Sequence, residues 1–427
     1  MKIDLLYGRD GMTVDLSDDL DVTIIRKNTM KPLADPTESV REAIKDPVRS
    51  PPLAQLAQGK KSACILICDV TRPVPNGTLL PPLVETLLGA GIPGEAVTIL
   101  VATGLHRPNE GEELREVVGS DDLFKFIAIE NHFARDRAAH TDLGKTSGGI
   151  PILIDRRFLE ADLKIVTGLV EPHFMAGYSG GRKVVAPGAA YQDTILMFHR
   201  AHILENPKAA NCVLNGNPLH KEQLEIVRKI GDILSLNVVI DEDRRMGFVN
   251  FGEIEAGHLK AVEFISQYAE VPIPQTFKTV VTTSAGYPLD KTYYQTVKGM
   301  VGVIDILEPG GTILIASECS EGMGSQEFVE AQRLLCEKGP EEFISILEGR
   351  EKALIDEWQT EMLVKALKVG EIQLYTKGLK PEERQDIYVG QATSLEDAVA
   401  ASVERHGDRR IAVVPEGPYV VPRYIGD

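Results

Sequence analysis

Ser62–Asn76 reads SACILICDVTRPVPN, and this stretch decides the architecture. From Cys64 to Cys68 (CILIC) it is apolar at every position, so a strand formed there must be covered on both faces. A helical pattern over Leu79–Ala90 follows, and then a second largely apolar run, Val97–Ala102 (VTILVA). Strand, helix and strand in that order, with both strands buried on both sides, predict a parallel α/β sheet. In open sheets of this kind ligands bind at the carboxyl ends of the strands. Asp69 and Arg72 stand at such an end, just before the stiff bend Pro73-Val74-Pro75.

The alternation continues outward. Further strands are expected at Phe126–Ile129, Lys164–Thr167, Val238–Ile240, Lys278–Thr282, Thr312–Ala316 and Ile411–Val414. Helices are expected at Glu112–Val118, Pro218–Lys229, Tyr294–Leu307, Ser325–Glu337 and Trp358–Val369. The fold class is α/β, with mostly parallel sheets in two domains. In the segment AEVPIPQTF, two close prolines predict a linker rather than a strand. The expected domains are therefore 1–270 and 275–407, with 408–427 a candidate to return to the first.

The charge balance narrows the partners. The 427 residues carry 46 Lys+Arg against 63 Asp+Glu, a net charge of −17. Such a surface repels phosphate backbones and anionic lipid, which argues against nucleic-acid and membrane partners. The opening MKIDLLYGRD reads as a strand and a turn and lacks the pattern of a signal peptide. Cys64, Cys68, Cys212, Cys319 and Cys336 are odd in number and scattered, which predicts a reducing, cytoplasmic setting without disulfides.

Val101–Pro108 reads VATGLHRP and Val166–His173 reads VTGLVEPH. Each is an apolar strand, then Thr-Gly-Leu, then a histidine, His106 or His173. Histidine exchanges protons near neutral pH, so two at matched strand ends suit chemistry on both faces of one carbon. Glu171–Ala190 reads EPHFMAGYSGGRKVVAPGAA. It fails the Walker pattern, because Arg182 precedes the lysine and Val184 follows it. Ser179, Gly180 and Gly181 nevertheless offer backbone N–H groups to an anion, and Arg182 offers a charge-assisted bond. Lys183, next to the apolar VVAPG, is a candidate desolvated amine for covalent chemistry. In ILMFHRAHIL a helix would put His199 and His202 on one face, a thin metal-ligand pair. YYQTVKG at Tyr293–Gly299 opens a helix with Gln295 and Lys298 on one face, suited to a carboxylate. Trp358, the only tryptophan, reads by itself as a packing residue.

Together these segments resemble the nickel-dependent lactate racemase family. The resemblance rests on DVTR at Asp69–Arg72, TGLHRP at Thr103–Pro108, EPHFMAGYSGGRK at Glu171–Lys183, APG at Ala186–Gly188, His199, and YYQTVKG at Tyr293–Gly299, and it runs over nearly the whole chain. It implies a nickel-pincer nucleotide (pyridinium-3,5-bisthiocarboxylic acid mononucleotide nickel) tethered to Lys183, with His199 as the one protein ligand of nickel. It implies further that His106 and His173 are opposed acid/base groups in a proton-coupled hydride transfer through a 2-keto acid. Arg72, Asp69, Gln295, Lys298, Tyr294 and Trp358 would serve the substrate, and Ser179–Arg182 the cofactor phosphate. The active site is expected in a cleft between the domains. Protein made without its partners, the cofactor-biosynthesis enzymes, is expected to be apo.

The residues do not fix the substrate. Lactate is implied by the family, while malate and other 2-hydroxy acids, aromatic or sugar acids included, compete. A dehydrogenase would show an early G-x-G-x-x-G, and no such run occurs. A non-catalytic cofactor-binding relative would have lost a base or the lysine, and all three are present.

Overall fold

The computed structural model describes residues 1–426 and divides the chain into two compact units. The first unit comprises Thr29–Phe198 and Val213–Ser266. Its six-stranded sheet runs in space Met246–Glu253, Ile233–Ile240, Leu163–Leu169, Ala63–Cys68, Val97–Ala102, Ala128–Asn131. Every neighbouring pair is parallel except the first, an antiparallel hairpin. The chain enters at Ala63–Cys68 and moves outward to Val97–Ala102 and Ala128–Asn131. It then crosses to the other side with Leu163–Leu169. The reversal makes the space between Ala63–Cys68 and Leu163–Leu169 a topological switch point, where open α/β sheets leave a crevice.

The apolar runs become strands because both faces are covered. Ile65, Ile99 and Ile165 lie in register across three strands and are fully buried. Leu79, Leu83 and Leu87 of the helix Asn76–Gly89 join the same core. The helix Pro218–Ile230 starts where sequence chemistry puts it: Asn217 accepts from the N–H groups of Leu219 and His220, and proline takes the first position.

The second unit comprises Met1–Asn28, His199–Cys212 and the chain from Gln267 onward. Its sheet is wholly parallel: Gly390–Ala392, Gly370–Tyr375, Leu307–Ala316, Phe277–Thr283, Arg410–Val414, Asp21–Ile24. Thr292 caps the helix Tyr293–Gly302 by accepting from the Gln295 N–H. The helix Glu357–Leu367 is buried at nearly every position.

Several expectations need correction. The strand expected at Phe126–Ile129 lies at Ala128–Asn131. The proline-rich segment is not a bare linker, since Glu270–Ile273 pairs in parallel with Val421–Tyr424. A proline costs no ladder bond where its nitrogen faces the outer edge of such a pair. The tail strand Arg410–Val414 joins the second unit's sheet, where Asp21–Ile24 pairs with it, so both ends of the chain are built into that unit. All five cysteines are free thiols. Among the described residues no helix is long and apolar enough to cross a membrane.

Candidate active site

In the first unit, the carboxyl ends of three adjacent strands carry the groups singled out in sequence. Asp69 follows Ala63–Cys68 and is 6% exposed. Its Oδ1 accepts from the Thr71 hydroxyl at 2.6 Å, and its Oδ2 lies 2.6 Å from His106 Nδ1. Burial would raise this carboxyl. The bond and charge of His106, with Thr71 and Arg72, outweigh burial and hold it below the usual carboxylate range. His106 sits on the exposed loop beyond Val97–Ala102. That loop is braced at Gly104, whose N–H donates to Gly188 O at 2.9 Å, and at Asn109, whose side chain bonds Glu113 at 2.6 Å.

His173 follows Leu163–Leu169, in a tight hairpin with Gly177. Its Nδ1 accepts from the backbone N–H groups of Met175 and Ala176, at 3.3 and 3.2 Å. Arg72 Nε lies 3.6 Å from Glu171 Oε1, across the switch point. The hydrogen bonds engage the same ring nitrogen, Nδ1, in opposite senses in the two histidines. A carboxylate on Nδ1 gives His106 its proton there and leaves a basic Nε2. Two donors on Nδ1 leave His173 with its proton on Nε2.

The glycine-rich turn behaves differently from expectation. Ser179 donates to Leu169 O at 2.7 Å and is buried. Arg182 is 1% exposed, donates to Ala176 O at 2.8 Å and pairs with His258 Nε2 at 2.8 Å. With no acid beside it, burial pushes its guanidinium down to about 9. Gly180 and Gly181 have positive φ, and a Cβ on Gly181 would meet His258 at 3.0 Å. These residues anchor the turn into the interior rather than turning their side chains outward. The consequence falls on Lys183, which is half-buried on the short helix Arg182–Val185 just past the anchor.

In the second unit, His199 is not on a helix. The helix Gln192–Phe198 ends one residue before it, where the chain changes unit, and a new turn begins at Ala201. His199 and His202 therefore share no helix face: His202 is exposed, while His199 is half-buried against Trp358, ring centroids 4.3 Å apart at 31°. Gln359 Nε2 donates to Tyr294 O at 2.6 Å, joining the Trp358 helix to the one bearing Tyr294, Gln295 and Lys298. Gln295 Oε1 is buried without a donor. Sequence reasoning overlooked Glu171 and Thr71, which lay within quoted motifs, and His258, for which no spacing signal exists.

An open, mostly parallel sheet with Asp69, His106 and His173 at the carboxyl ends of three adjacent strands is the architecture of an α/β protein of the kind that binds ligands at that edge. The comparisons specify which one. Residues 7–211 match the model described as lactate racemase N-terminal domain, and residues 274–421 that described as lactate racemase C-terminal domain. Lactate racemase of Thermoanaerobacterium thermosaccharolyticum is 33% identical over 99% of both chains. That of Lactiplantibacillus plantarum is 31% identical, also over 99% of both. The lactate racemase apoprotein structure from T. thermosaccharolyticum superposes with a TM-score of 0.92 at 32% identity, covering 99% of this chain and 100% of that one. A Thermotoga maritima protein at 19% identity shares the fold, with a TM-score of 0.67 over 92% of this chain and 99% of that one. The chain belongs to the lactate racemase family.

Proposed function

We propose that this protein racemises a short 2-hydroxy acid, lactate first and malate or another 2-hydroxy acid next. The observation that carries the reading is the placement of His106, bonded to Asp69, and of His173 at the ends of the two strands flanking the Asp69 strand. Basic Nε2 of His106 takes the proton of the substrate hydroxyl, and Asp69 steadies the imidazolium that forms. His173, in its protonated form, gives a proton to the keto oxygen on return, both rings re-equilibrate with solvent between turnovers, and the roles reverse for the other enantiomer. Arg72, Gln295 and Lys298 bind the carboxylate, with Tyr294 and Trp358 shaping the surroundings.

The residues fit a nickel-pincer nucleotide. Lys183 is a half-buried amine on a rigid turn. Among the described residues no group of three His, Cys, Asp or Glu could hold a metal, so a metal at His199 must bring its other donors with it. When bound, that cofactor supplies the acceptor for the Cα hydride. Its attachment to Lys183 and coordination by His199 belong to the proposal, as does a phosphate seat on the backbone of Ser179–Arg182. The setting that goes with this reading is cytoplasmic, supported by the free thiols. Its partners are the enzymes that make the cofactor.

The test is a panel of single-enantiomer 2-hydroxy acids on protein loaded with synthetic cofactor, with mass and nickel measured in parallel. Racemisation of at least one acid is expected, together with a covalent mass gain lost in Lys183→Ala. No adduct, no nickel and no loss of optical rotation with any acid would overturn the reading.

A further inference from the structure

In the second unit one face of the helix Glu357–Leu367 is given over to the segment His199–Cys212. Trp358, Glu361 and Lys365, at helical spacing, meet it in turn. Trp358 stacks on His199. Lys365 Nζ donates to Leu204 O and, at 3.2 Å, to Ala209 O, closing the end of the short helix Ala201–Leu204. Lys368, just beyond the helix, bonds Glu205 Oε2 at 2.7 Å. Between these contacts Glu361 is fully buried and faces Glu205 within hydrogen-bonding reach. Neither Glu361 oxygen, nor Glu205 Oε1, has a donor.

A buried carboxylate with no donor on either oxygen, facing the half-buried carboxylate of Glu205, is repelled by it, and each unmade bond carries its desolvation cost. A single proton resolves the arrangement. We propose that Glu361 is a positioning residue for His199: held as a neutral acid, it donates to Glu205 and latches the His199–Cys212 segment onto the helix bearing Trp358. Its relevance to catalysis rests on reading His199 as the metal ligand; the latch itself does not.

Burial, reinforced by the charge of Glu205 and opposed by Lys365 and Lys368, pushes the Glu361 carboxyl up to about 8. These are the charged groups acting on it. Gln332, from the neighbouring helix Gln326–Glu348, is neutral and bonded to Thr360. Above that pH the pair becomes two like charges and the latch opens.

Trp358 is the only tryptophan, so emission of the cofactor-free protein reads the His199 stack directly. The wild type is expected to change emission with a midpoint near pH 8. Glu361→Gln, which keeps a donor and cannot ionise, should hold the neutral-pH spectrum throughout. Glu361→Ala should show the high-pH spectrum already at pH 7 and bind the nickel cofactor roughly 10–100-fold more weakly, with Glu361→Gln restoring it. A transition that persists unchanged in Glu361→Gln, or none in the wild type, overturns the proposal. His199→Ala that keeps full nickel would sink the ligand assignment while leaving the latch intact.

Discussion

Asp69 Oδ2 and His106 Nδ1 lie 2.6 Å apart, and the carboxylate is buried while the imidazole reaches into the open. The pair fixes which ring nitrogen is basic. Asp69→Asn keeps the shape but lets the amide donate to Nδ1, which moves the imidazole proton to Nε2. The expected result is a loss of about 10²–10⁴ in kcat for both directions of racemisation with little change in KM. Steady-state rates from each pure enantiomer check it. A loss confined to KM would mean that Asp69 serves binding alone.

The proposed roles of His106 and His173 predict separable half-reactions. His106→Asn and His173→Asn should each abolish interconversion, yet each should still release keto acid from one enantiomer, a different one for each variant. A single turnover of loaded protein with each enantiomer, keto acid measured directly, tests this. Two variants that spare the same enantiomer would show that the histidines do not divide the faces between them.

The part of this site that lies at strand ends was legible in the sequence, because buried parallel strands are unbroken apolar runs and ligands gather where they stop. Asp69, His106 and His173 were found that way. The two Thr-Gly-Leu echoes, however, are not equivalent. Thr103 lies past its strand, whereas Leu169 is still paired with Val238 inside its own, because strand length is set by the neighbour. Arg182 shows the second limit. Its charge is visible in the sequence but its direction is not, since the partner that draws it inward, His258, lies on the distant helix Ile254–Ala269. The same holds for Glu205 and Glu361, which only the tertiary fold brings together.

The turn bearing Lys183 depends on a strand glycine. A Cβ on Gly168 would lie 3.0 Å from Val184 Cγ2 and 3.1 Å from Gly180 Cα. Gly180 is backbone and cannot rotate away, and the neighbouring Ser179 is bonded to Leu169 O. Gly168→Ala should cost about 1–3 kcal/mol in urea unfolding and lower the fraction of chain that gains cofactor mass. Stability within about 0.5 kcal/mol of wild type would show that the turn moves freely.

Acid should weaken the two units unequally. In the first, burial pushes His132 and His220 down to about 3 and His258 well below its ordinary value. His132 Nε2 meets His140 Nε2 at 2.9 Å, a contact that accommodates one proton. Below pH ~6.5 the unfolded chain binds protons that these native rings refuse, so stability falls as pH falls. Each ring contributes about 1.4 kcal/mol per pH unit, or about 4 for the three, once well below that value. In the second unit Glu361 works the other way: its raised carboxyl is protonated in the native state first, so its contribution grows as pH falls from 8 towards its unfolded value. Trp358 reports on the second unit alone. Lowering the pH from 6.5, where Glu361 is already protonated, to 4.5 in fixed, mild urea should therefore cost far-ultraviolet ellipticity before tryptophan emission changes. Coincident transitions, or a urea midpoint that does not move between pH 7.5 and 5, would show that the buried histidines do not govern acid stability.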